Sequence, residues 1–428
     1  MKTILELMQD VKSKPFAQRL AEIYGVDEAG VREQQERYLK AIDRFCEIFD
    51  ARDEAAIFSA PGRTEVGGNH TDHQHGRVLA AGVNLDVIAI TAKRTDSRIT
   101  VKSEGFDPDY VDSADLTVHA DEVGHSASLI RGVCDGFVKR GYRIGGFAAY
   151  TISSVLKGSG LSSSAAFEVL IGTILNHLYN DGKIDAVTIA QIAQYAEREF
   201  FGKPCGLMDQ TASAVGGFVA IDFADPTKPV VEQVPFRFAD CGHNLVIVDT
   251  KGNHADLTDD YASIGEEMRQ VARCFNKEVL REVDPADFYA KLGELKGRLS
   301  DRALLRTIHF FGDNDRALRE ADLLRAGNFE AFKQEILASG RSSFMYLQNA
   351  YSIKAPDQQG IPLALALTEQ MLTGKGAWRV HGGGFAGTIQ VFVPCELTEA
   401  YRKMIENVLG KGTCHVLSIR PVGAVQML

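Results

Sequence analysis

Three short segments of this chain concentrate the residue types that chemistry needs. The first is Lys157-Gly158-Ser159-Gly160-Leu161-Ser162-Ser163-Ser164-Ala165. It runs straight into Phe167, Leu170, Ile171, Ile174, Leu175 and Leu178, which fall on one face of a helix predicted over residues 162–180. A helix N-terminus offers unpaired backbone N–H groups and a partial positive charge. Glycines let that backbone approach an anion closely, and serine hydroxyls add donors, so the segment reads as a phosphate cradle. The same residues would also serve as a plain serine cap with no ligand. The loop is not a Walker A motif, because no GxxxxGK[ST] occurs in the chain. The HRD and DFG triplets of protein kinases are missing as well.

The second segment, Ala60-Pro61-Gly62-Arg63-Thr64-Glu65-Val66-Gly67-Gly68-Asn69-His70-Thr71-Asp72-His73, lies between two apolar runs. So many polar groups are costly to bury unless they bind something. Arg63 could stabilise phosphoryl charge through its planar fork, and Asn69, His70 and Asp72 could hydrogen-bond hydroxyls. His70, Asp72, His73 and His75 also suggest a metal, but H-x-D-H-x-H matches no defensible ligand spacing. A solvated turn without a role is the plain alternative. The third segment is Cys205-Gly206-Leu207-Met208-Asp209-Gln210. An aspartate in such apolar company is either a helix N-cap or a working base. Cys205 reads as a packing residue. Further on, residues 382–387 satisfy GxGxxG, but TIQVFVP follows, a strand rather than the helix a dinucleotide site requires.

The elements that must hold these segments follow from periodicity. Residues 1 to about 50 read as helical, with apolar residues at three- and four-residue spacing. IFSAPGR reads as a short strand entering a glycine-rich turn, and VLAAGVNLDVIAITAKR and RITVKSE as strands. A helix over 184–201 ends at Gly202 and Pro204. Long helices run from about 258 to 370, broken near Pro285 and Gly340. A strand–helix–strand unit closes the chain. The result is a mixed α/β protein, with an N-terminal helical extension over 1–50, one domain over 51–240 and a second over 241–428. The 428 residues, 45% hydrophobic and 24% charged, suit a large core and two domains. The net charge of −10 argues against a nucleic-acid partner. Seven scattered cysteines without CxxC spacing fit a reducing compartment better than a disulfide framework. MKTILELMQDVKSKP has no apolar h-region, and no apolar run is long enough for a membrane span, so a cytoplasmic protein is expected.

In this order the segments resemble the GHMP kinases, and the galactokinases among them. The front cluster is similar to that family's GRxNxIGEHTDYxxG signature, the Gly–Ser loop to its GxGLSSSA phosphate loop, CGLMDQ to its GxMDQ, and HGGGFAG at 381–387 to its C-terminal glycine motif. Together these span residues 60–387. The resemblance implies a two-domain α/β fold with a left-handed βαβ element, and an ATP- and Mg²⁺-dependent kinase acting on the anomeric C1 hydroxyl of galactose. It implies small-molecule partners only, with no membrane, and a monomer or weak homodimer. Asp209 would be the base and Arg63 its neighbour stabilising the phosphoryl. Gly158, Ser159, Gly160, Leu161, Ser162, Ser163 and Ser164 would wrap the ATP phosphates, with Ser103 in VKSEGF also on the nucleotide. Ser164 and Glu197 would hold Mg²⁺, and Asn69, His70, Thr71, Asp72 and Tyr261 would bind the sugar.

The pattern departs from the family in places. Asn69 stands where galactokinases usually have Glu, and His73 where they have Tyr; Glu65-Val66-Gly67 replaces Asn-Leu-Ile. An amide at 69 can donate as well as accept. That keeps N-acetylgalactosamine, galacturonate and arabinose as alternative acceptors. A sensor that binds sugar and ATP without turnover is a reading of another class, disfavoured by the intact SSSA and Asp209.

Overall fold

The chain opens with strand β1 (Lys2–Thr3), whose Thr3 is reciprocally capped with Glu6 at the start of helix α1 (Ile4–Val11). Helix α2 (Lys14–Tyr24) starts at Ser13 and ends at Gly25 in the left-handed region, and α3 (Glu28–Phe49) follows. The computed structural model describes residues 1–49, 54–156, 160–252 and 257–428. Next come β2 (Glu54–Gly67), β3 (Arg77–Lys93), β4 (Arg98–Ser103), β5 (Asp109–Asp112), α4 (Ser126–Lys139) and β6 (Phe147–Ser153). Helices α5 (Ser163–Tyr179), α6 (Ala186–Glu199) and α7 (Met208–Val215) lead into β7 (Phe218–Asp222) and β8 (Val230–Val234). The remainder begins with β9 (His243–Asp249) and α8 (Thr258–Arg273). Short α9 (Pro285–Ala290) and α10 (Leu292–Lys296) precede α11 (Asp301–Arg325), α12 (Phe329–Ser342) and α13 (Gly360–Leu372). The hairpin β10 (Ala377–His381) and β11 (Thr388–Pro394), α14 (Thr398–Leu409), β12 (Cys414–Leu417) and β13 (Val425–Gln426) complete the chain.

Among the described residues these strands form two sheets, one of nine strands and one of four ordered β10-β11-β9-β12. The larger is antiparallel except where β4 runs parallel to β6, and the returning β13 pairs with β2. Its central strand β3 is buried on both faces, which explains its unbroken apolar sequence. Ile88 and Ile90 pack under the N-terminal helices with Leu20, Tyr38 and Ile42, while Val87 and Ala89 pack towards α4, α5 and α6. Each such fully buried Ile contributes about 1.5–3 kcal/mol, so the N-terminal helices are a firm layer of the fold. Among the described residues no helix is long and apolar enough to cross a membrane.

Asp86, fully buried on β3, ties this layer to the cradle. It pairs with Arg37 at 2.7 Å and Arg420 at 3.0 Å and accepts from Tyr24 at 2.6 Å. Its own backbone exchanges hydrogen bonds with the Ser154 hydroxyl, just before the loop. Burial raises the Asp86 carboxyl, but Arg37 and Arg420 outweigh it and leave it below the usual carboxylate range.

Two expectations need correction. The run APGRTEVG is not a turn: β2 continues through it to Gly67, with register shifts between Pro61 and Arg63 and between Glu65 and Gly67. Pro61 lacks a donor and is tolerated where the ladder is already interrupted. Gly340 does not break a helix either; α12 passes through it. A Cβ there would meet the Trp378 carbonyl oxygen at 2.7 Å, so glycine is what lets α12 lie against β10.

Candidate active site

The three chemical segments converge. The bulge after Pro61 turns Arg63 off the sheet towards α7, as bulges beside functional sites often do. Arg63 Nε donates to Asp209 Oδ1 at 2.7 Å and Nη2 to Oδ2 at 2.6 Å, a bidentate pair. Its remaining Nη1 donates to the Gly160 carbonyl. The Arg63 backbone N–H in turn bonds the Leu161 carbonyl at 3.0 Å, holding the loop against β2. Ser162 completes the group, its hydroxyl donating to Asp209 Oδ2 at 2.7 Å.

Asp209 is the second residue of α7, whose N-cap position is Leu207, so the N-cap alternative fails. Its side chain is 28% exposed against 11% for Arg63. Burial pushes the carboxyl up; Arg63, then Ser162 and the Lys203 charge, more than offset this and hold it below the usual carboxylate range. It is therefore ionised at neutral pH. Because Ser162 bonds Asp209, no side chain caps α5, and Ser162 itself takes a left-handed conformation at φ 56°. The uncapped first turn of a 17-residue helix is the donor set a phosphate chain fits. Gly158 and Ser159 lie outside the described residues.

On one side of Asp209 is a polar cavity of about 150 Å³, lined by Arg63, Glu65, His70, Asp72, Lys203 and Tyr261, among others. His70 donates from Nε2 to the Gly383 carbonyl at 3.0 Å; burial drives its imidazole down to about 3, so it stays neutral. His73 and the Tyr261 hydroxyl share a hydrogen bond at 2.8 Å, and the His70 and Tyr261 rings pack 5.1 Å apart. Asp72 accepts from the His73 backbone at 2.9 Å and reaches the cavity beside Gly206, where an added Cβ would lie 2.5 Å from its Oδ2. The turn at 382–387 joins β10 to β11, a hairpin rather than a dinucleotide motif, and Gly382 and Gly383 close the cavity.

Asn69 and Thr71 correct the sequence reading: neither lines this cavity, and both are 0% exposed. The Asn69 amide donates to Glu65 and the Gly382 carbonyl, at 2.9 and 2.8 Å, and its oxygen accepts from Asn349 at 2.8 Å. No hydrogen-bonding capacity points at a ligand, so the argument from residue 69 for an acidic sugar has no physical basis. Thr71 locks its own turn through the Gly68 and Arg77 carbonyls. The partner of Glu65 is Arg379, fully buried on β10, which also bonds the Val66 carbonyl at 2.6 Å. Arg379 has no local sequence signal, since it meets Glu65 only through tertiary folding.

On the other side lies a cavity of about 690 Å³ lined by Ser103, Leu129, Ser163, Ser164, Phe167 and Phe201, among others. Apolar walls and an uncapped helix N-terminus at one end suit a nucleotide. Ser103 accepts from Thr151 at 2.9 Å. Ser164 donates to Glu197 Oε1 at 3.0 Å, and Lys203 Nζ reaches the same oxygen at 2.8 Å. Gln210 bridges Glu197 at 2.8 Å and the buried Glu168 at 3.2 Å; desolvation, then Glu197, raises the Glu168 carboxyl well above its usual range. Hydroxyl and carboxylate oxygens side by side are the hard donors Mg²⁺ takes. Burial and the adjacent Glu197 raise the Cys205 thiol, which fits packing and not nucleophilic attack.

The chain is similar to known proteins over most of its length. Residues 43–93 match the galactokinase galactose-binding signature and residues 128–217 the GHMP kinases N terminal domain. The structure resembles that of Lactococcus lactis galactokinase complexed with galactose, with a TM-score of 0.75 at 23% identity, covering 90% of this chain and 98% of that one. Streptococcus pneumoniae phosphomevalonate kinase, in complex with phosphomevalonate and AMPPNP, shares the fold at a TM-score of 0.58 and 14% identity, over 86% and 99% of the two chains. Galactokinase of Streptomyces coelicolor is 30% identical over 370 residues, 85% of this chain and 91% of its own length. The chain therefore belongs to the galactokinase family of the GHMP sugar kinases.

Proposed function

We propose that the protein transfers the γ-phosphoryl group of ATP to the C1 hydroxyl of galactose, giving galactose 1-phosphate and ADP. The observation that carries this is Asp209, an ionised carboxylate gripped by Arg63 and Ser162 between a small polar cavity and the uncapped start of α5. In this reading His70, Asp72 and Tyr261 orient the sugar in the cavity of about 150 Å³. The C1 oxygen then faces Asp209. The hydroxyl proton passes to Asp209 as the oxygen bonds the γ-phosphorus and the bond to the β-phosphate oxygen breaks. A carboxylate held so low is a weak base, which suffices because the hydroxyl becomes acidic late in a loose transition state. Ser103, Gly160 and residues 161–164 line the nucleotide path, and Ser164 with Glu197 would hold Mg²⁺. That ion would neutralise charge on the β- and γ-phosphates.

The chain divides, in this proposal, into helices 1–50, a catalytic domain 51–240 and a domain 241–428. The sheets change between Val234 and His243, and Tyr261, Gly382 and Gly383 cross from the second part into the sugar cavity. A cytoplasmic site of action fits the seven free cysteines. Because one chain lines each cavity, a monomer or weak homodimer suffices. The test is ADP release, followed by a coupled assay, with galactose, N-acetylgalactosamine, galacturonate, arabinose and glucose. Galactose should give the highest kcat/KM. A preference for another sugar would overturn the acceptor assignment, and ADP release with none of them would overturn the kinase reading.

A further inference from the structure

Three of the five N–H donors of Arg63 are already committed, and Asp209 offsets its charge. Nε gives its single N–H and Nη2 one of its two to the Asp209 oxygens, and Nη1 gives one of its two to the Gly160 carbonyl. A guanidinium bound in this way fixes the base and cancels its charge, leaving little field for a second anion. A group arriving with several negative oxygens needs another cation within reach. The side chain that answers is Lys203, in the stretch between α6 and α7. It lines the same cavity as Asp209, Arg63 and Tyr261, and its Nζ lies 2.8 Å from Glu197 Oε1, the oxygen that Ser164 also bonds. It therefore stands where the sugar cavity meets the proposed phosphate end of the nucleotide cavity. Its charge is also among those that hold Asp209 ionised. An ammonium has three donors, and among the described residues Glu197 is the one acceptor Lys203 touches. The side chain is 55% exposed, whereas Glu197 is 2% exposed, so the lysine has freedom to move while the carboxylate is fixed.

We propose that Lys203 is a further catalytic residue, which leaves Glu197 to contact the γ-phosphoryl group during transfer and adds a second positive charge to that of Arg63, which Asp209 offsets. This rests on the kinase reading above. It makes no bond and gives up no proton; it stabilises the equatorial oxygens as charge moves towards the leaving ADP. A residue that merely propped Glu197 would act on the terminal phosphate through Mg²⁺ and only in its presence, whereas direct contact persists without the ion, and that difference separates the two roles.

The experiment measures dissociation constants of AMPPNP and ADP by calorimetry, without sugar, once with Mg²⁺ and once with EDTA in its place, for the wild type, Lys203→Met and Lys203→Arg, alongside kcat and melting temperature. Expected is a preference for AMPPNP over ADP that drops about ten-fold or more in Lys203→Met, the scale of one charge-assisted hydrogen bond. The affinity for ADP stays within about two-fold, and Lys203→Arg recovers most of the loss. kcat should fall in parallel. An unchanged AMPPNP-to-ADP ratio in a folded Lys203→Met protein, or a change confined to the Mg²⁺ series, overturns the proposal while leaving the kinase reading intact. Failure of the wild type to bind AMPPNP at all would overturn the kinase reading itself.

Discussion

Replacing Asp209 by Asn keeps the outline of the side chain and removes its charge. Asp209 now accepts three hydrogen bonds, two from Arg63 and one from Ser162. An amide offers one accepting oxygen and an NH₂ group that is itself a donor. Wherever the amide turns, one guanidinium nitrogen faces a nitrogen, and no group remains to receive the sugar proton. Loss of a general base typically costs about 10²–10⁴-fold in rate, or roughly 3–5 kcal/mol at about 1.36 kcal/mol per ten-fold. Stability suffers less. Stripping one partner from a fully buried pair costs about 3–5 kcal/mol, but Asp209 is 28% exposed and solvent screens what is left. About 1–3 kcal/mol is the expected loss. Coupled ADP release at saturating galactose and ATP measures kcat, and thermal melting confirms the fold. The expected pattern is a kcat lowered at least about a hundred-fold with a nearly unchanged KM for ATP. A folded variant within ten-fold of wild-type kcat would mean that Asp209 is not the base.

Arg63→Met should shift the acid limb of the pH–rate profile upward. Burial, the largest influence on Asp209, would then be opposed mainly by Ser162 and Lys203. In the wild type the depressed carboxyl contributes stability above the ordinary carboxylate range, lost as pH falls through its folded pKa; an unmoved limb in the variant would contradict the assigned cause. Gly206→Ala puts a Cβ 2.5 Å from Asp72 Oδ2, so it should raise the KM for galactose several-fold while sparing the KM for ATP, as initial-rate kinetics would reveal. Arg379→Met leaves Glu65 buried without its cation and should cost about 3–5 kcal/mol in denaturant unfolding, with Glu65→Gln added to it recovering part of the loss. Full additivity of the two substitutions would rule out their coupling.

Local chemistry was legible in the sequence wherever one segment carries it whole. The amphipathic run after Ser162 rests on contacts within a few residues, and α5 begins within one residue of the predicted place. Asp209 was legible as a base or a cap; its place as the second residue of α7 removes the cap, and the Arg63 that grips it lies 146 positions away. The misreadings share one origin. Asn69, Thr71 and the run through Gly67 look like exposed polar turn, but β10 and α11 cover them, and their polar groups are met by Asp313, His309, Asn349, the Gly382 carbonyl and each other. Composition cannot tell a polar group satisfied by protein from one awaiting a ligand, because both are polar and both are costly to bury unpaired. Arg379 was invisible for the converse reason: an arginine in AWRVH reads as the solvated side of a strand until its partner arrives from β2.

The commitment of Arg63 to Asp209 bears on how the site divides its work. A planar fork that meets a carboxylate with two bonds fixes the angle of that carboxylate as well as its charge. Pinned also by Ser162 from the loop, Asp209 is tied to the turn before α5, so the proposed base and phosphate cradle keep one geometry. An exposed lysine has the opposite properties: a point charge on a flexible stem, able to follow a group that travels. In the proposal above, the rigid arginine serves the stationary base and the mobile lysine the moving phosphoryl. It predicts that exchanging the two types, as Arg63→Lys, damages catalysis far more than Lys203→Arg, in spite of the conserved charge in both.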